Sequence, residues 1–428
     1  MIRRAVQALA AAAFLLHAPL GAQQLSDQIV RLFTFGTCGE PLCLEGALGN
    51  HGGHFIPAQT AGTGRVISFI EGAVGQAVAN IPISAASSGV TYRFEGGVPV
   101  KTSTSAGPIF AERAQTLGRG RFFLGVNVTG QHFERIRGVR LDNLTFNFGH
   151  ADVTPGDSLG EPLFENDLIQ VQVAMDLDLL VTTAFASWGI VDGVDIGVAV
   201  PLVHTSLNGS SAAQVIPFGG STPHIFGTDV DGNPILNAVS SASGSATGIG
   251  DVAGRLKIGV MQSNTVGVAL LAEARFPTGK EEDLLGSGAL AARGLGIVSL
   301  RLGDFSPHAN VGYVFRDDTL STNGVLATLG FDQLLGSWAT LAVDWISEWQ
   351  VGDSKVAIPA PLVYQSPLHR TVQVTSIPDQ KDDQMALSVG FKFGTGRGMT
   401  FITNALFPLR DAGVQPNAIW TGGLEYNF

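Results

Sequence analysis

Charge is scarce in this 428-residue chain: Asp, Glu, Lys and Arg make up 14% of it, well under the usual figure of about a quarter. A net charge of -11 leaves no basic surplus for phosphates and argues against a nucleic-acid partner. Beyond the N-terminal segment there is no unbroken apolar run of the ~18 residues that a membrane-spanning helix needs. No G-x-S-x-G elbow occurs, and His132, His204 and His308 have no evident serine and acid partners, so no hydrolase triad assembles. GTGRG at 394–398 lacks the Gly-Lys-Ser/Thr ending of a phosphate loop, and TDVDGNP at 228–234 lacks the closing glutamate of a calcium loop. No cofactor and no catalytic residue is predicted.

Cysteine is nearly missing too. Cys38 and Cys43 stand in CGEPLC, and a disulfide closing this short loop in an oxidising compartment is the leading expectation. The alternative is a zinc site helped by His51 and His54. Export is implied by the leader: Arg3 and Arg4 precede a largely apolar run over 5–20, and Gly21-Ala22 supplies the small residues of a signal cut after Ala22. Gln23 stands where a lipid-anchored protein has cysteine, so no lipid anchor is expected.

What the chain has in excess is glycine, 55 residues against a usual ~7%, together with runs of alternating polarity. Period-2 runs bounded by turn residues predict strands at 121–133, 168–188, 194–206, 250–262, 265–276, 292–303, 306–316, 323–332, 337–350, 383–394, 398–407 and 418–428. Every odd-numbered connection between them is longer than its neighbours. In lipid every backbone polar group must be paired internally, so without helices the spanning solution is a closed barrel. Barrels of the outer-membrane kind have even strand numbers, short periplasmic turns and long external loops. The fold class expected is therefore all-β, a transmembrane antiparallel β-barrel of 12 strands. A 14-stranded version arises if 168–188 splits near Asp176 and 139–148 becomes a further strand.

Alternation also assigns faces. Val171, Val173, Met175 and Leu177 are expected to face lipid, with Gln170, Gln172 and Asp176 facing the lumen. The same parity puts Arg255, Lys257, Glu273, Arg275, Asp344, Glu348, Lys392 and Glu425 inside, as a paired charge network. Trp338, Trp345, Trp349, Trp420, Tyr426 and Phe428 are candidates for interfacial girdles. Before the barrel, residues 23–118 form a periplasmic extension or a plug folded into the lumen, with plug favoured. A helix is expected over 65–80, and GPIFAERAQTLGRGR at 107–121 leads into the first strand. The domains are thus a signal at 1–22, the plug or periplasmic segment at 23–118 and the barrel at 119–428.

Two resemblances add to this. The last strand, AIWTGGLEYNF with Trp420, Leu424, Tyr426 and Phe428 on one face, resembles the C-terminal strand that barrel-assembly machinery reads in bacterial outer-membrane proteins. GVDIGVAVPLV (193–203), TGIGDVAGRLKIGV (247–260) and ARFPTGKEEDLLGSG (274–288) together resemble the outer-membrane transporter family named for the MetA pathway of phenol degradation, grouped loosely with fatty-acid and aromatic-hydrocarbon channels. That resemblance implies a bacterial outer-membrane channel, set among outer-membrane lipids, for passive uptake of a small hydrophobic solute. It supplies no functional residues. A structural or adhesive barrel and an outer-membrane hydrolase are the alternatives.

Overall fold

The computed structural model describes residues 24–35, 42, 44–46, 49–50, 92–95, 98–101, 106–150, 165–217, 224–317, 321–355, 358, 360–365, 368–395 and 398–428. The predicted leader, the Cys38–Cys43 disulfide, the histidine pair at 51 and 54 and the helix over 65–80 lie outside the described residues.

The principal elements, in chain order, begin with one helix, α1 (Leu25–Arg31), and continue with β1 (Phe122–Ile136), β2 (Leu144–Gly149), β3 (Leu168–Val191), β4 (Val194–Ile216) and β5 (Asn237–Ile249). Then come β6 (Val252–Gln262), β7 (Val266–Phe276), β8 (Leu290–Leu300), β9 (Phe305–Asp317), β10 (Gly324–Gly336), β11 (Ala339–Gln350), β12 (Gln384–Gly394), β13 (Met399–Pro408) and β14 (Val414–Asn427). Among the described residues no helix is long and apolar enough to cross a membrane.

Twelve of these strands close a barrel: β1, β3, β4 and β6 to β14, each antiparallel to its neighbours, with β14 returning to β1 from Val414↔Ile136 to Asn427↔Phe123. Phe122 and Phe428 complete the seam by exchanging backbone hydrogen bonds. All twelve runs read from the sequence are present. The run at 168–188 stays one strand, because no turn residue interrupts MDLDL. The further strand of the 14-stranded alternative exists as β2, but it lies beside the upper part of β3 outside the barrel circuit.

The connections 192–193, 263–265, 301–304 and 337–338 are tight turns and share one end of the barrel with the facing ends of β12 and β13. The other end carries the long loops. There β3 and β4 run on beyond the circuit, paired through Leu168↔Ile216. β5 pairs with this extension of β4, from Asn237↔Gln214 to Ile249↔Leu202. Residues 237–249 were expected to be loop because NAVSSASGSATGI has no apolar alternation. Small residues are what packing requires at this place: Ala242 and Ala246 are buried, and Ser240 donates to the Arg31 carbonyl at 2.7 Å, so α1 lies flat on the sheet.

Polarity across the wall reverses along β1, β3 and β4. Toward the tight-turn end the outward positions are Phe122, Leu124, Val126 and Val128 on β1, Leu180, Ala184 and Trp188 on β3, and Ile196, Val198 and Val200 on β4, all exposed. Their inward neighbours include Asn127, Thr129, Thr183, Ser187 and Asp195, all buried. Beyond the level Gly130–Leu180–His204, where the three strands pair side by side, the pattern inverts. Outward now point His132, Asp176, Asp178, Gln172, Ser206 and Asn208; inward point Val171, Val173, Met175, Leu177, Leu179 and Leu207.

This corrects two expectations. Asp176 does not face the lumen: its side chain is 57% exposed on the outer wall. Val171, Val173, Met175 and Leu177 do not face lipid but form a buried core with Leu25, Ile29, Leu32 and Phe33. The reason is that this part of β3 stands clear of the apolar belt, with protein inside it and solvent outside, so its apolar face turns inward.

Candidate functional site

The interior has two parts. At the tight-turn end a strap of residues 106–119 crosses the inside of the barrel and is tied to the inner wall. The Ala106 N–H donates to Thr340 Oγ1 at 2.9 Å, and the Glu112 N–H and carbonyl both engage the Asn310 amide at 2.9 Å. The Ala114 N–H donates to Ser299 Oγ at 2.9 Å, and the Leu117 N–H reaches both oxygens of Asp195 at 3.1 and 2.9 Å. These partners sit on β11, β9, β8 and β4, so the strap runs around half of the wall. It leaves past Gly189, where a side chain is excluded: a Cβ there would stand 2.0 Å from the Gly118 carbonyl oxygen.

Charge locks the strap. Glu112, 2% exposed, takes Arg255 at 2.6 Å and Lys257 at 2.9 Å, both from β6. Burial alone would push its carboxyl up; the Lys257 ammonium and the Arg255 guanidinium more than offset this and hold it below the usual carboxylate range. Next along the strap, Arg113 forms a forked pair with Asp332 of β10, with Nε to Oδ1 at 3.0 Å. The inner wall continues the network. Glu273 accepts from Arg275 at 2.9 Å and Arg293 at 2.8 Å and lies 3.1 Å from the Arg255 guanidinium; Arg316 pairs with Glu348; Lys392 pairs with Glu425 at 3.2 Å. His308 Nε2 lies 2.7 Å from Asp344 Oδ1.

The structure thus gathers Arg255, Lys257, Glu273, Arg275, Asp344, Glu348, Lys392 and Glu425 inside the barrel and leaves Asp176 on its outer wall. Glu112, Arg113, Asp195 and Asp332 were not singled out from the sequence. The signal available was parity for Asp195 and Asp332, and for Glu112 and Arg113 an adjacent pair of opposite charges in a segment with no strand pattern. Among the described residues none of the three histidines weighed for catalysis hydrogen-bonds a serine: His132 meets Asp178, His204 meets Thr247 and His308 meets Asp344.

Toward the long-loop end the interior is apolar. Residues of β3, β4 and α1 pack with Leu284 and Leu285, and a closed cavity there is lined by Ile29, Leu141, Met175, Leu177, Leu207, Leu284 and Val414. Leu284 reaches it from the 277–289 connection, which Asp251 pins down. The Asp251 carboxylate accepts from the Gly279 N–H at 3.1 Å, the Ser287 N–H at 2.8 Å and Ser287 Oγ at 2.7 Å, while Thr278 Oγ1 donates to the Gly250 carbonyl at 2.6 Å. A Cβ on Gly286 would stand 2.4 Å from Asp251 Oδ1, so the knot needs glycine at this position. Two of the motifs that resemble a transporter family, at 247–260 and 274–288, therefore meet in one turn. Asp251→Ala is expected to destabilise it by about 3 kcal/mol, since bonds to a charged acceptor contribute roughly 1.5–3 kcal/mol each. Amide exchange at Gly279 and Ser287 should rise while exchange in β12 and β13 stays unchanged.

At the wall, aromatic rings gather at both edges of the belt. Phe122 stacks on Trp188 and Phe428, both with centroids at 5.7 Å, at the tight-turn edge, and Trp420 meets Phe407 edge-on at 6.5 Å at the other.

No protein-family model matches the chain, and no curated protein is similar to it in sequence. Solved structures are similar at low overlap. An outer-membrane channel from Pseudomonas putida F1 is 10% identical with a TM-score of 0.40, the match covering 74% of this chain and 98% of that one. The monoaromatic hydrocarbon channel CymD is 9% identical with a TM-score of 0.35, covering 74% and 90%. A Pseudomonas aeruginosa FadL homologue is 10% identical with a TM-score of 0.31, covering 72% and 89%.

Proposed function

We propose that this protein is an outer-membrane barrel channel that admits small hydrophobic or aromatic molecules passively, with the 106–119 strap as its gate. The observation that supports this most is the change of polarity along the interior: an apolar region at the long-loop end, then a charged lumen crossed by the strap. A solute with few polar atoms gains about 25 cal/mol per Å² of apolar surface buried in the first region, once α1 and the Leu284 loop, which pack together there, part to admit it. It then meets ion pairs and a strap, so onward passage requires the strap to move.

The belt of exposed Phe, Leu, Val and Ile on the outer wall is far larger than a soluble surface tolerates, and bilayer lipid is the cover it fits. From Leu180 to Trp188 the belt runs about 26 Å along β3 at ~3.3 Å per residue, the reach of a tilted strand crossing a hydrocarbon layer. Even strand number and segregated loop lengths favour the outer membrane, with the tight turns in the periplasm. Trp420, Leu424, Tyr426 and Phe428 share the outward face of β14 and offer the assembly machinery an aromatic row.

Passage of this kind needs no catalytic residue. Entry of a labelled small aromatic solute into vesicles with a lipopolysaccharide outer leaflet tests the proposal. Faster entry with folded protein than with empty vesicles is expected; equal entry would favour a structural or adhesive barrel instead.

A further inference from the structure

We infer that the outer wall carries a binding site for a divalent transition-metal ion, formed by His132, Asp176 and Asp178. None of these three side chains belongs to the lumen or to the strap. They sit on the solvent side of β1 and β3, one step beyond the level at which the apolar belt ends.

The strand pairing builds the arrangement. His132 of β1 lies directly opposite Asp178 of β3, and Asp176, two residues along the same strand, shares its face. His132 Nδ1 is 2.9 Å from Asp178 Oδ1 and 3.4 Å from Asp176 Oδ1, and one ligand atom from each of the three lies within 4.8 Å of the others. Metal bonds of about 2.1 Å place neighbouring ligands about 3.0 Å apart around an octahedral ion and about 3.4 Å apart around a tetrahedral one. The nitrogen-to-oxygen spacings therefore already suit a shared ion. Because the donors stand on paired strands, little ordering remains to oppose binding.

Charge points the same way. Among the described residues no Lys or Arg pairs with Asp176 or Asp178, and Glu134 adds a third carboxylate nearby, held by Asn417. A cation would neutralise two carboxylates whose ion-pair partner among the described residues is His132 alone. The donor chemistry sets the class of ion: one imidazole nitrogen with two carboxylate oxygens suits Zn²⁺, Mn²⁺ or Fe²⁺, whereas Ca²⁺ and Mg²⁺ favour all-oxygen shells. All three side chains are about half exposed, so the remaining coordination positions open outward. Below the site lies a groove lined in part by Gly130, Leu180 and Trp420.

The test is a calorimetric titration of Zn²⁺ into the refolded, tag-free full chain in detergent micelles, with His132→Ala and Asp178→Asn beside it. Both substitutions are on exposed positions, and heat-modifiable electrophoretic mobility checks that each variant folds. One ion per chain is expected, with affinity falling at least about tenfold in each variant, since loss of even outer-shell support costs that much. Co²⁺ in place of Zn²⁺ is expected to show no strong near-ultraviolet thiolate band. Absence of binding to the parent chain, unchanged affinity in His132→Ala, or a thiolate band placing the ion on Cys38 and Cys43 would each overturn the inference.

Discussion

Replacing Glu112 by alanine is expected to release the strap from the wall while the barrel stays closed. Lys257 is 3% exposed and Glu112 is its one ion-pair partner among the described residues; Arg255 keeps Glu273. Removing one member of a buried ion pair leaves an uncompensated charge at a cost of about 3–5 kcal/mol. The barrel has its own ladder of backbone hydrogen bonds and is largely spared, so the cost falls on docking of the strap. Its remaining ties include Arg113 with Asp332, the bonds of its backbone to Thr340, Asn310, Ser299 and Asp195, and the Gln262 amide on the Ala114 carbonyl. Amide exchange over 106–119 should accelerate by two to three powers of ten, at about 1.4 kcal/mol per power, with β1 and β14 unchanged. Glu112→Gln keeps the shape and one acceptor and should show a smaller effect. Unchanged exchange in the alanine variant would mean that the ion pairs do not hold the strap.

The second large effect concerns where the belt stops. Ala184 and Gln172 both point outward from β3, but Ala184 lies within the apolar belt and Gln172 beyond it. Arginine at a lipid-facing position near the middle of a bilayer costs about 2–4 kcal/mol, and at a solvated surface position within about 0.5 kcal/mol. Ala184→Arg is therefore expected to lower the denaturant midpoint for unfolding from phospholipid vesicles, whereas Gln172→Arg leaves it almost unmoved. Equal effects at the two positions would show that the polarity reversal along β3 does not mark the edge of a membrane.

That reversal also shows what the sequence could and could not say. Strand alternation and turn residues are local, and they located all twelve barrel strands; β4 alone ran well past its expected end, because the polar outward face of Ser206, Asn208 and Ser210 reads as loop. Alternation separates two faces of a strand without saying which is inside. For β6, β7 and β12 the polar face is the inner one, as expected; for the upper part of β3 the solvent lies outside and the choice reverses. Contacts between distant segments leave no local trace. Gly250-Asp251 and Pro277-Thr278-Gly279 were both legible as turns, yet nothing in either announces that Asp251 holds Gly279 and Ser287. The strap was legible as the lead-in to the first strand at the end of a segment read as plug or periplasmic extension, but its contacts were not, because its order comes from side chains on β4, β6, β8, β9, β10 and β11.

The most direct test of the central claim is single-channel conductance of the refolded protein in planar bilayers, with and without small aromatic solutes. A strap-gated channel with an apolar entrance should give discrete conductance steps, brief in the parent chain and prolonged in Glu112→Ala, that aromatic solutes block. A folded, heat-modifiable barrel that stays silent in both forms would contradict the account.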